Sequence, residues 1–126
     1  MLLQVISWWE IAFCGGSESE ERGSGDVFDI VADLVTEFDP AAVSLYGSVA
    51  RSDDDGDSDI DLLVVLDTYE PRDAINLKTR AFKGSTSSAP FDVSFSDPDR
   101  YVGRSQIPGT VERATVLDGR CVYRRD

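Results

Sequence analysis

Residues 45–66 read LYGSVARSDDDGDSDIDLLVVL, and the way this stretch divides decides the fold. Gly47 and Ser48 make a small-residue turn, an acidic loop follows, and Asp59 and Asp61 then stand one residue apart at the head of an apolar run. The run from Ile60 to Leu66 is apolar on both faces, the pattern of a central strand covered on both sides. Side chains alternate across a strand, so Asp59 and Asp61 project from one face and Ile60 and Leu62 from the other. Two carboxylates held side by side repel, and a fold that keeps them together supplies a cation.

Upstream of this stretch, Ala42 to Tyr46 is a short β-prone run that stops at Gly47, where a backbone without a Cβ turns sharply and approaches a ligand closely. Ser48 to Arg51 then begins a short helix. Strand, Gly, Ser and helix start together form an anion site, because unpaired N–H groups and the positive end of the helix dipole meet there. Further upstream, Val27, Ile30, Val31, Leu34, Val35 and Phe38 recur at spacings of three and four, which predicts a helix over 26–38. Asp26 is its expected N-cap, and Pro40 disfavours continuation through Asp39. In the loop 52–58, Asp53, Asp54, Asp55 and Asp57 surround Gly56. The run reads as a solvated turn, since a calcium loop would need a closing Glu and flanking helices.

Downstream, Pro71 to Lys83 reads as a second helix, with Pro at the first helical position and Gly84 at the exit. It carries Arg72, Lys78, Arg80 and Lys83, either a solvated face or a surface for a triphosphate tail or an acidic partner. Residues 91–95, FDVSF, put Phe91, Val93 and Phe95 on one face and Asp92 and Ser94 on the other. Asp is depleted in strands. Asp92 therefore either marks the solvent face of an edge strand or, beside the Asp59 strand, completes a three-carboxylate site. Residues 97–106 and 110–117 read as short helices, and Asp118-Gly119 as a turn before a last strand, 120–124. A competing reading makes 115–123 a hairpin around that Asp-Gly pair. The fold class is α/β (α+β), a small mixed sheet flanked by helices.

The chain of 126 residues divides into an apolar N-terminal extension with a glycine-rich linker, 1–25, and one domain, 26–126. The extension is either a loosely packed appendage or a docking segment anchored by Trp8, Trp9 and Phe13. Its opening run is too short to span a bilayer and lacks the basic start and cleavage site of a signal peptide, so the expectation is a cytoplasmic protein without a membrane partner. A net charge of -12 excludes the basic footprint of a direct nucleic-acid binder. Cys14 and Cys121 are expected as reduced thiols, and with no His in the chain they cannot build a zinc cluster.

Three carboxylates from two strands, facing a glycine-serine anion turn, are the parts that move a nucleotidyl group. Asp59 and Asp61 would hold two Mg²⁺ ions that clamp a triphosphate, and Asp92 would hold one of those ions or deprotonate an acceptor hydroxyl. Gly47 and Ser48 would fix the β- and γ-phosphates through backbone N–H groups and the Ser hydroxyl. Gly47-Ser48, ten residues, Asp59-Ile60-Asp61 and a later strand Asp92 resemble the DNA polymerase β-type nucleotidyltransferase superfamily, and within it the minimal nucleotidyltransferase (MNT) branch with its GS, ten residues, DXD signature. The resemblance spans about 26–124, including the closing ERATVLDGRCVY.

The resemblance implies a compact nucleotidyltransferase fold that binds ATP and Mg²⁺. It also implies an antitoxin role: transfer of AMP to a tyrosine of a HEPN-domain ribonuclease toxin, within an assembly of this chain with itself or with that partner. On the family pattern, Gly47 and Ser48 fall on the phosphate turn, Asp59 and Asp61 on the metal ligands and Asp92 on the third acidic position, all three aspartates being catalytic. Arg51 falls on the Arg often seen in GSxAR. Ser52 stands where many relatives have Gly, the following loop is unusually acidic, and the first 24 residues have no counterpart in the family. Two other functions fit the same residues: transfer to a small hydroxylated molecule such as an aminoglycoside, which usually needs a further helical domain, and an antitoxin that blocks its partner by contact alone.

The acidity has a particular composition, 17 Asp against Lys78 and Lys83 as the only lysines. That skew suits a salty cytoplasm, where screening relieves self-repulsion. The melting temperature is therefore expected to rise between about 0.1 M and about 2 M KCl, with loss of the folded state on dialysis to low salt. A salt-independent melting temperature would count against this reading.

Overall fold

The computed structural model describes residues 25–47 and 60–125. In chain order the elements are α1 (Gly25–Phe38), β1 (Ala42–Tyr46), β2 (Ile60–Val65), a 3-10 turn (Pro71–Asp73) leading into α2 (Ala74–Lys83), β3 (Phe91–Ser96), α3 (Pro98–Arg104), α4 (Val111–Asp118) and β4 (Arg120–Arg124). The four strands form one mixed sheet in the order β3-β2-β1-β4. β1 pairs antiparallel with both β2 and β4, while β2 and β3 run parallel and are joined through α2. That connection is a βαβ unit, the standard solution for parallel neighbours that cannot be joined by a tight turn.

β2 sits inside the sheet, as its two-sided apolarity predicts: Leu62, Leu63, Val64 and Val65 are all fully buried. On one face Val43, Leu45, Leu62, Val64, Val93 and Phe95 pack with Ile30, Val31 and Leu34 of α1 and Ala81 of α2. On the other, Ala42, Leu63 and Val65 pack around Tyr101 of α3, with Val111 of α4 beside them. The α1 periodicity is thus core-facing. Asp26 lies inside α1 rather than at its cap. The helix ends where Asp39 enters the left-handed region, φ 49°, donating its N–H to the Val35 carbonyl at 2.9 Å. Asp is one of the few L-residues that tolerates this conformation, and Pro40 follows.

α3 starts at Pro98, with the Asp97 carboxylate accepting from the Arg100 N–H at 2.8 Å. α4 is capped by Thr110, whose hydroxyl accepts from the Arg113 N–H at 3.1 Å. The two are locked together by Glu112, only 3% exposed. It accepts from Ser96 Oγ at 2.8 Å and from Arg104 Nε at 3.1 Å, with Arg100 Nε 3.8 Å away. A buried carboxylate needs such partners.

Two expectations are corrected. Residues 115–123 are not a hairpin, because 111–118 are helical and the Gly119 N–H donates to the Thr115 carbonyl at 2.8 Å as the helix exit. Cys121 is disulfide-bonded rather than a reduced thiol; Cys14, the other cysteine of the sequence, lies outside the described residues. The expectations for the extension 1–24, the short helix at Ser48–Arg51 and the acidic loop 52–58 also fall outside them. No helix among the described residues is long and apolar enough to cross a membrane.

Leu34 is 1% exposed against the sheet, so Leu34→Ala should cost about 2–5 kcal/mol in urea unfolding, the range for buried Leu truncations. A change below about 1 kcal/mol would contradict this packing. A second outcome concerns alkaline pH. Burial pushes the Tyr101 phenol above its usual value, opposed by a hydrogen bond with Thr115 and reinforced by the Glu112 carboxylate. The folded state then holds that proton more tightly than the unfolded chain, so its stabilisation is complete below about pH 10 and is lost as pH rises through the raised value. Urea midpoints should fall above about pH 10, and less steeply in Tyr101→Phe; equal slopes would exclude Tyr101 as a source.

Candidate active site

Sheet topology brings three elements to one end of the sheet. β1 ends where β2 begins, so Tyr46 lies opposite Asp61. β2 and β3 start together and run parallel in register, which sets Asp61 opposite Asp92. In-register positions on parallel neighbours share a face, and the strands lie about 4.8 Å apart. The two carboxylates therefore sit side by side, Asp61 half-buried and Asp92 with 48% of its side chain exposed. β3 is an edge strand, and Asp92 stands beside a carboxylate of the neighbouring strand. The third carboxylate of the expected site, Asp59, lies outside the described residues, as do Ser48 and Arg51.

Gly47 closes this end of the sheet. Its φ is +84°, and a Cβ placed there would stand 2.5 Å from Asp61 Oδ2 and 3.4 Å from Asp61 Cγ. Backbone conformation and space both demand glycine, so the turn after β1 and the first described carboxylate of β2 are in direct steric register. The turn expected to bind phosphate and the aspartate expected to bind metal are thus neighbours.

Two further side chains belong to the site, and the sequence reading did not place them in it. Tyr46 projects on the same face as Asp61. Burial pushes its phenol above the usual value; a hydrogen bond shared with Ser94 opposes this, and the Asp61 and Asp92 carboxylates reinforce it. A neutral hydroxyl therefore lines the site at neutral pH. Strand alternation back from Gly47 was the available signal for it. Lys78 of α2 reaches Asp92, Nζ to Oδ1 3.1 Å. Among the helix cations grouped by the sequence, Lys78 and Arg80 part company: Arg80 Nε donates to Glu37 at 2.9 Å and its guanidinium lies 4.8 Å over the Phe38 ring. They do not make one surface.

Whether these residues suit a divalent ion is a matter of donor chemistry. Asp61 and Asp92 offer hard carboxylate oxygens, the donor type magnesium takes, and the Cβ-free Gly47 leaves room for the Asp61 carboxylate beside the turn. Among the described residues no group of three or more His, Cys, Asp or Glu gathers, so the described part of the site contributes two carboxylates. The arrangement fits a metal shared with a ligand that brings its own oxygens.

The chain is similar in fold to a Sulfolobus solfataricus protein described as a nucleotidyltransferase, at 19% identity and a TM-score of 0.54, over 85% of this chain and 94% of that one. It is also similar to a toxin–antitoxin complex solved with AMP-PNP, at 19% identity and TM-score 0.45, over 81% of this chain and 73% of that one. A mutant of the MntA–HpeT toxin–antitoxin complex gives 17% identity and TM-score 0.45, over 84% and 76%. No curated protein matches the sequence. Residues 27–116, from α1 through the paired aspartates to α4, match the family described as nucleotidyltransferase domain, and this chain belongs to that family: it is a nucleotidyltransferase.

Proposed function

We propose that the enzyme transfers AMP from ATP to a hydroxyl of a protein partner, with Mg²⁺, and thereby acts as the antitoxin of a HEPN-domain ribonuclease toxin in the cytoplasm. The observation that carries the catalytic half is the in-register pairing of Asp61 with Asp92 beside Gly47. The choice of acceptor rests on the resemblance of Gly47, Ser48, Asp59 and Asp61 to the MNT signature. It is helped by the exposure of Asp92, which leaves the site open to a macromolecular hydroxyl.

In this reading Asp59, Asp61 and Asp92 hold the metal, whose contribution is to neutralise charge on the attacking and leaving oxygens. Gly47 would let the main chain lie against the triphosphate and Ser48 would add a hydroxyl, while Arg51 falls on the Arg of the family's GSxAR pattern. Asp92, with 48% of its side chain exposed, takes the proton of the acceptor hydroxyl. The acceptor oxygen bonds to the α-phosphorus as the α–β anhydride breaks, and pyrophosphate leaves. Tyr46, kept neutral, orients without adding charge. No imidazole is needed, consistent with a chain that has no His.

The test is incubation with α-labelled ATP, Mg²⁺ and a candidate toxin. Asp61→Asn and Asp92→Asn should each lower label transfer by at least about 100-fold with little change in melting temperature. Transfer at wild-type rate in either variant would sink the assignment. If the double variant still neutralises the toxin fully, inhibition is by contact alone.

A further inference from the structure

Lys78 is one of two lysines in a chain of net charge -12, and its ammonium lies on the carboxylate of Asp92, 3.1 Å from Oδ1. Asp92 is itself in register with Asp61 on the neighbouring strand. Two adjacent carboxylates at the end of a sheet are a repulsive pair, and within so acidic a molecule the surroundings add to that repulsion. α2 is the crossover helix that joins β2 to β3, so the chain segment that makes the two carboxylates neighbours also delivers the cation that reaches Asp92.

The geometry of this ion pair is that of a replaceable partner. Both side chains are substantially exposed, 41% for Lys78 and 48% for Asp92, and exposed pairs are weak because water competes for both ends. The lysine stem is long and flexible and can swing into solvent without opening the core. By contrast the buried carboxylate of the molecule, Glu112, takes its charge partners from arginines and a serine that also bridge α3, α4 and β3. That network is built to stay. The Lys78–Asp92 pair is built to exchange.

We propose that Lys78 is the resident counter-ion of Asp92: its ammonium holds that carboxylate in the metal-free enzyme and competes with the divalent ion for it. The inference rests on the metal-binding role given to Asp61 and Asp92 above. Its consequence is that the bare ion binds weakly. The site is filled when the ion arrives with a triphosphate, whose oxygens supply ligands that two carboxylates do not; magnesium characteristically binds through one or two carboxylates plus substrate phosphates. Lys78 acts through Asp92 and is a positioning residue in this account.

Mn²⁺ alone, titrated into the full chain and followed by electron paramagnetic resonance, tests the competition without any turnover. Removing the ammonium in Lys78→Met should tighten Mn²⁺ binding about three- to tenfold, from release of Asp92 and loss of cation–dication repulsion. Lys78→Arg, which keeps the charge, should stay near wild type. In an Asp92→Asn background Lys78→Met should have much less effect, because the shared carboxylate is gone. Unchanged or weaker Mn²⁺ binding in Lys78→Met would overturn the proposal and leave Lys78 as a tether of α2. An undiminished effect in the Asp92→Asn background would overturn it too. Failure of the wild type to bind Mn²⁺ in an Asp61-dependent way would instead remove the metal-site reading, and this inference with it. Those two failures are distinguishable in one set of titrations.

Discussion

The contact between Gly47 and Asp61 is the constraint on which the candidate site depends. A side-chain carbon at position 47 would fall 2.5 Å from Asp61 Oδ2, nearer than non-bonded atoms can stand, and the +84° φ of that residue is one that only glycine adopts without strain. The end of β1 is therefore pressed against the start of β2, where the first described carboxylate emerges. With β3 fixed parallel to β2 in the register that sets Asp92 beside Asp61, the two acids and the turn are held by backbone pairing. Their positions depend on the sheet more than on side-chain packing. A site built on strand ladders is more exact than one built on loops.

Holding acids together has an electrostatic cost, and the molecule meets it in two different ways along one face of β3, where Asp92 and Ser96 both project. Glu112 is buried and surrounded by Ser96, Arg100 and Arg104, so its charge is matched permanently. Removing one partner from such a group leaves a charge with nothing to compensate it, which makes the network a fixed part of the fold. The Asp61–Asp92 pair is half-open to solvent, and Asp92 carries an exposed ion pair with Lys78. A partner of that kind stabilises little, and little is what a ligand-exchange site requires, since any free energy gained from the resident cation is lost from the incoming one.

Much of this was legible before any coordinates, and the exceptions are physical. The i, i+3, i+4 pattern of Val27 to Phe38 and the two-faced apolar run of β2 each reflect one dominant local force, burial, and both elements form where the periodicity puts them. The FDVSF alternation gave β3 and the face of Asp92. The strand register did not follow from it, because pairing depends on how the α2 crossover returns the chain, which no local pattern encodes. The hairpin reading of 115–123 failed for a related reason. Asp-Gly serves a helix exit as well as a turn between strands, and only the packing of α4 against Tyr101 and β3 decides between them. Lys78 stood out as a cation, but four cations on one helix are equivalent in sequence until the edge strand selects the one within reach of Asp92. Asp59, Ser48 and Arg51, the other residues the sequence singles out, lie outside the described residues, so the half of the site that the coordinates describe is the half carried by Gly47, Asp61 and Asp92.

The arrangement of the two helical layers follows from what the site needs. α1 and the far side of α2 bury aliphatic residues against one face of the sheet, and α3 and α4 cover the other around Tyr101 and Glu112. At the end where Gly47, Asp61 and Asp92 meet, both carboxylates are half-buried and Asp92 keeps 48% of its side chain exposed. Full coverage would have forced the acids to protonate or to take permanent partners. Complete exposure would have weakened every electrostatic interaction with a phosphate, since water screens charges that the protein interior does not. The half-buried sheet end lies between these limits, and the exposed Lys78–Asp92 ion pair there is weak enough to be exchanged.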